Sequence, residues 1–110
     1  PNRMEALEPF RCAGPEQKEP AVLPYLQQDK PQAYDIDLSV ALKCEAEGME
    51  EPAVITTSNL KWMYWSMAQQ LVHHTVTGCN MQPGDLCGSG TISGPSEETR
   101  GSMLEVCCKA

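Results

Sequence analysis

The sequence lacks most features that announce a function by themselves. Lys and Arg number 8 against 15 Asp and Glu, for a formal net charge of -7. Nucleic acid and anionic membrane both demand clustered basic residues, so neither is an expected partner. No apolar run approaches the roughly 20 residues of a membrane helix. No basic stretch precedes an apolar one in the manner of a signal peptide. The six cysteines contain no C-x-x-C pair, which leaves zinc-ribbon and thioredoxin-type readings without an anchor. Walker A, G-x-G-x-x-G, H-E-x-x-H and EF-hand patterns are absent, and Gly88-Ser89-Gly90 lacks the spacing of a nucleophile elbow. There is no internal repeat.

What remains is a chain of 110 residues, enough for one small domain with a single core. Its apolar share of 41% and charged share of 21% are ordinary for a globular protein. It starts at Pro1 without an initiator Met and ends at Ala110 directly behind a strand-like run, so it reads as a piece of a longer protein. Cys12, Cys44, Cys79, Cys87, Cys107 and Cys108 are expected to be reduced and mostly buried rather than bridged or metal-bound.

Residues 1–33 are irregular, because Pro1, Pro9, Pro15, Pro20, Pro24 and Pro31 forbid a long helix or a central strand. Met4 to Glu8 suits a single helical turn. Val22, Leu23, Tyr25 and Leu26 are expected to dock on a core as an extended segment. Residues 34–110 hold the sheet and helix. Tyr34 to Lys43 alternates, with Tyr34, Ile36, Leu38, Val40 and Leu42 on the face expected to be buried. After an acidic loop, Ala53 to Thr57 is a β-branched strand placed to form a hairpin with it. Ser58 is the expected N-cap of an amphipathic helix whose stripe is Leu60, Met63, Tyr64, Met67, Ala68, Leu71 and Val72. Gly78 is its expected positive-φ stop. Gln82-Pro83-Gly84-Asp85 signals a turn. Leu86 to Ser93 reads as a glycine-rich strand, and Ser102 to Lys109 as a last strand with Cys107 and Cys108 on opposite faces. The fold class is therefore α+β and β-rich, with antiparallel strands around one helix.

The densest run of special backbone positions is His73–Gly94, which points to a site built on loops. His73 and His74 fall at the end of the helix about 100° apart, too far round to act as paired ligands; one packed or capping histidine and one solvated one are expected. Asp35 and Asp37 share the polar face of their strand, where solvation outweighs a metal-ligand reading. Ser89, either histidine and Asp85 would be the only material for a hydrolytic triad. Gly88-Ser89-Gly90-Thr91 offers amides and a hydroxyl to an anion. Glu105 is one carboxylate in an otherwise apolar or small run and suits the orienting member of an acid–base relay.

The text from Asn59 to Lys109, with QQLVHHTVTGCNMQPGDLCGSGTISG followed by GSMLE, resembles the C-terminal part of the fumarylacetoacetase family, as does the preceding PYLQQDKPQAYDIDLSVALK. The resemblance implies a C-terminal catalytic domain of β-sandwich or roll type, present here in part. It also implies a cytoplasmic, homodimeric hydrolase of tyrosine and phenylalanine catabolism that cleaves a carbon–carbon bond of a dicarbonyl acid. In that family a Mg or Ca ion is held by carboxylates, and a histidine oriented by a glutamate activates water. Glu105, in GSMLE, matches that glutamate, and Thr91, in SGTISG, matches a substrate-binding threonine. The catalytic histidine, the metal-binding carboxylates and other substrate contacts have no counterpart here; Asp35, Asp37, His73 and His74 do not match them. Gln82 and Cys107-Cys108-Lys109-Ala110 depart from the family pattern. The chain alone is expected to be inactive and to hold no metal tightly. The alternatives are a related hydrolase or decarboxylase of another 1,3-dicarbonyl acid, or a truncated product without catalytic role.

Overall fold

The computed structural model describes residues 3–30 and 32–108. Pro1, Pro31, Lys109 and Ala110, which figure in the proline series and in the last predicted strand, lie outside the described residues. The proline-rich start forms a 3₁₀ helix over Arg3–Phe10 that continues through Pro9, beyond the single turn expected. Two residues, β1 (Arg11–Cys12), then pair antiparallel with β2 (Ala33–Tyr34). β3 (Asp37–Leu42) and β4 (Ala53–Asn59) form the predicted hairpin. The alternating run thus splits: Tyr34 belongs to one sheet and Asp37 onward to the other. Asp35 and Ile36 bend between them, with the Asp35 amide bonding to the Phe10 carbonyl. Two two-stranded sheets with helices make an α+β fold, but not the expected β-rich one around a single helix: two α-helices and several 3₁₀ turns hold more residues than the strands.

β4 carries one residue more than its partner. Val40 pairs with Thr56 and Ala41 with Val54, so Ile55 is a bulge. The hairpin does not bury the face expected of it. Tyr34 is 2% exposed, but Val40 and Leu42 are about half exposed and Val54 is 63% exposed. Leu26 and Tyr34 are the buried apolar residues among those described. The radius of gyration is 16.9 Å, against about 13 Å for a compact domain of this length. Among the described residues no layer covers the sheet's apolar residues Val40, Leu42 and Val54.

The helix begins later than Ser58. Ser58 lies in β4 opposite Leu38, and its hydroxyl donates to the Ile92 carbonyl rather than capping a helix. Asn59 caps a 3₁₀ turn over Leu60–Trp62, and Met63 returns to extended backbone. α1 is Met67–Thr75, capped by Ser66. Ser66 Oγ accepts from the Gln69 amide at 3.1 Å, and Gln69 Oε1 accepts from the Ser66 amide at 2.9 Å. Such a reciprocal box satisfies two otherwise orphaned donors. Leu60, Met63 and Tyr64 thus precede the helix, and Met67, Leu71 and Val72 remain about 40–45% exposed. The most buried residue of α1 is Gln69, which lies off the apolar stripe. Gly78 has the expected positive φ of 90°, and its amide bonds to the Thr75 carbonyl just past the helix end.

Four further expectations change. Val22, Leu23, Tyr25 and Leu26 do not dock as an extended segment: Pro24–Leu26 is a 3₁₀ turn that buries Leu26 and leaves Leu23 and Tyr25 exposed. Leu86 to Ser93 is irregular chain, not a strand, and Leu86 is 99% exposed. Ser102 to Cys108 is helical: α2 (Met103–Cys107) has Ser102 as N-cap and Glu105 closing a second capping box. Cys107 is the last residue of α2 and Cys108 its C-cap, so they are not opposite faces of a strand. All six cysteines are free, but Cys79, Cys87, Cys107 and Cys108 are exposed and Cys12 and Cys44 half-buried, which corrects the expectation of burial.

Candidate functional site

Two loops and one short helix converge beside β4. The hydroxyls of Thr56 and Ser58 point off the strand and donate to the Glu98 carbonyl at 3.0 Å and the Ile92 carbonyl at 2.8 Å. The Gly94 amide bonds to the Thr99 carbonyl, closing a loop around the 3₁₀ turn Glu97–Thr99. These bonds hold Thr91–Ser93 against Gly101 and the start of α2. The approach requires glycine. A Cβ at Gly101 would sit 2.6 Å from the Ile92 carbonyl oxygen and 2.7 Å from Thr91 Cγ2.

Glu105 lies at this junction. Its Oε2 accepts from Ser93 Oγ at 2.7 Å, from the Gly101 amide at 3.0 Å and from the Ser102 amide at 3.2 Å. The Gly101 amide also reaches Ser93 Oγ at 3.1 Å, tying the donors to one another. The hydrogen bond from Ser93, with those from the backbone amides of Ser102 and Gly101, holds the carboxyl below the usual range despite partial desolvation. Arg100 addresses the Glu105 main-chain carbonyl, and its other nitrogen pairs with Glu97. Oε1 of Glu105 has no hydrogen-bond partner among the described residues.

Thr91 and Glu105 line one open cleft of about 380 Å³ with Ser89, Ile92 and Ser93 on one side and Trp62, Met63, Tyr64, Trp65 and Gln70 on the other. The hydroxyl of Thr91 makes no hydrogen bond among the described residues. Two lining residues, Thr91 and Glu105, thus each carry a polar atom without a partner among the described residues, in a cleft also lined by Trp62, Tyr64 and Trp65. Such a site suits a small polar ligand. Ser93, Gly101, Ser102 and these aromatic residues are not found by reading the sequence. The S-x-x-E of Ser102–Glu105 is the available signal for the helix that positions Glu105.

Of the other candidates Ser89 lines this cleft, while Asp85, His73, His74, Asp35 and Asp37 do not. Ser89 Oγ turns to the Gly90 carbonyl, and Asp85 Oδ2 accepts from the Gln82 amide in the predicted turn. Both histidines are exposed; His73 stacks on Tyr25 with ring centroids 6.3 Å apart, its Nδ1 3.1 Å from the tyrosine hydroxyl. No triad forms from them. Asp35 and Asp37 converge on the Asn59 side-chain amide at 2.6 and 3.0 Å. The Lys61 ammonium sits 3.1 Å from Asp35, and its hydrogen bond, with that of Asn59, lowers the Asp35 carboxyl below its ordinary value. Lys61 reaches Asp35 alone, and Asp37 shares only the Asn59 amide with it. Among the described residues no group of three His, Cys, Asp or Glu side chains is placed to hold a metal. These residues do not fit a divalent ion. No helix of the described residues is long and apolar enough to cross a membrane.

The profile of the fumarylacetoacetate (FAA) hydrolase C-terminal family matches residues 3–108. The chain is 58% identical over 106 residues to fumarylacetoacetase of Bos taurus, 57% to that of Homo sapiens and 53% to that of Dictyostelium discoideum. Each alignment covers 96% of this chain and 25%, 25% and 24% of the relative, respectively. The chain thus spans about a quarter of the length of the curated relatives it matches.

Proposed function

The chain belongs to the fumarylacetoacetate hydrolase family, and from that premise we propose that it forms one wall of the active site of a hydrolase that cleaves fumarylacetoacetate to fumarate and acetoacetate. The observation that supports this reading is the shared cleft. Thr91 and Glu105, matched to family roles through SGTISG and GSMLE, come from a loop and from α2 and line the same cleft. In this reading Glu105 accepts an N–H of a catalytic histidine supplied by the rest of the protein. The interaction fixes the ring's tautomer and keeps its other nitrogen ready to take a proton from water. Thr91 hydrogen-bonds a substrate oxygen.

A Mg or Ca ion belongs to this reading only through residues outside the chain. A homodimeric, cytoplasmic enzyme of tyrosine and phenylalanine catabolism, with the two small sheets incorporated in a β-sandwich or roll, is part of the same proposal. So is an inactive chain when isolated, because the histidine that Glu105 would orient has no counterpart in it.

The test is the full-length protein with fumarylacetoacetate. Glu105→Gln removes the charge and keeps the shape, and is expected to lower kcat by about 100-fold or more while KM changes little, because the group acts mainly in the transition state. Unchanged turnover would remove Glu105 from the relay. A folded, Mg-loaded wild type that leaves this substrate intact but hydrolyses or decarboxylates another 1,3-dicarbonyl acid would move the assignment to that substrate.

A further inference from the structure

Glu105 is held asymmetrically. Its three hydrogen bonds all fall on Oε2, from the Ser93 hydroxyl and from the amides of Gly101 and Ser102. The Ser102 bond is part of the capping box and recurs wherever such a helix starts. The Ser93 bond does not: it crosses from the Thr91 loop to α2, and at 2.7 Å it is the shortest of the three. A carboxylate tethered through one oxygen cannot rotate that oxygen away without breaking all three bonds. The other oxygen is then fixed in direction as well.

We propose that Ser93 is a positioning residue that clamps Oε2 of Glu105 so that Oε1 alone is presented to the catalytic histidine. This rests on the function proposed above. It adds a division of labour within the carboxylate and a residue that links the two site loops. Ser93 also receives the Gly101 amide, so its hydroxyl proton is directed to Glu105 and its lone pair to the backbone. Loss of the Ser93 hydroxyl leaves Oε2 with two main-chain donors, beside the Ser102 side chain that also favours the charged carboxyl, all from one short stretch, and the carboxylate regains torsional freedom. The charged groups near it are Arg100, which binds the Glu105 carbonyl, and Glu97, which neutralises Arg100. Neither donates to the carboxylate, so neither substitutes for Ser93.

The experiment compares Ser93→Ala, Ser93→Thr and wild type in the full-length protein. Ser93→Ala is expected to lower kcat by about 10- to 100-fold, the range for a misplaced reacting group, with KM within about threefold. Ser93→Thr, which keeps the hydroxyl, is expected to restore most of kcat. In parallel, ¹³C NMR of the Glu105 carboxyl is expected to give a titration midpoint below the ordinary glutamate value in wild type and a higher one in Ser93→Ala. A kcat of Ser93→Ala equal to wild type overturns the proposal, as does a loss that threonine leaves unrescued in a folded protein. If Ser93→Ala fails to fold, the wild-type midpoint decides: an ordinary value overturns the clamp. If wild type folds but does not hydrolyse fumarylacetoacetate, the functional reading fails while the midpoint shift between wild type and Ser93→Ala still judges the clamp.

Discussion

Replacing Gln69 by alanine removes the most connected buried side chain among the described residues. Gln69 is 3% exposed. Its amide group makes four hydrogen bonds: it donates to the Leu26 carbonyl and Gln17 Oε1, both at 2.8 Å, and accepts from the Ser66 amide at 2.9 Å and Gln17 Nε2 at 3.0 Å. Gln17 is half-buried and can turn to water, and its Nε2 keeps the Tyr64 carbonyl as partner. The Leu26 carbonyl and the Ser66 amide belong to buried residues and are left without a partner. Stranding a buried polar group costs about 1–3 kcal/mol, so the pair amounts to roughly 2–6 kcal/mol on the same basis. Two effects reduce that figure. Alanine gains under about 0.5 kcal/mol of helix propensity. Gln69 also lines a polar cleft of about 500 Å³, from which water reaches the vacated space. A net loss of about 2–3 kcal/mol is expected. Urea unfolding followed by the fluorescence of Trp62 and Trp65 measures it, with Gln17→Ala as the control at about 1 kcal/mol or less. The double variant should cost less than the sum, because the two side chains share their bonds. A Gln69→Ala loss no larger than that of Gln17→Ala would refute the reasoning.

Gly101→Ala is expected to reduce kcat of the full-length enzyme about tenfold or more, because its Cβ drives Ile92 and Thr91 out of place; steady-state kinetics with normal near-ultraviolet circular dichroism would show a local effect. Acid should weaken the β3–β4 corner. The Asp35 carboxyl is lowered from 3.8, first by the Lys61 hydrogen bond and then by Asn59. Its contribution is therefore complete above that ordinary value and is lost as pH falls through the depressed folded value. Lys61→Met should flatten this part of the stability-versus-pH curve; an unaltered acid limb in unfolding measurements would show that Lys61 is not the cause.

Both α-helices are written in the sequence as the same four-residue sign. Ser66-x-x-Gln69 and Ser102-x-x-Glu105 are capping boxes, and each is masked by a rival signal. Ser58 reads as a cap because it precedes an apolar stripe, yet strand pairing and the Ile92 carbonyl claim it. Ser102 to Lys109 reads as a strand because its apolar residues are β-compatible, but local capping outweighs that weak preference. The hairpin is legible because alternation and β-branching agree there. The split after Tyr34 is not, since the bend is set by the Asp35 amide bonding to Phe10 from a distant segment. In the site, Glu105 and Thr91 are found through their motif text. Ser93 stays hidden because its importance lies in a contact twelve residues away, from Ser93 to Glu105.

The bulge at Ile55 acts as a register pin for the site. Side chains alternate along a strand, so a slip of one residue would exchange the two faces of β4. With Ile55 seated as the extra residue, Thr56 and Ser58 face Val40 and Leu38 and present their hydroxyls to the Glu98 and Ile92 carbonyls. Their attachment points lie about 7 Å apart, the rise of two strand residues. The spacing between the two site loops is thus copied from the pitch of β4. A one-residue slip of β4 would bring Thr57 round between the anchors and turn both hydroxyls away, dismantling the cleft without touching a residue that lines it.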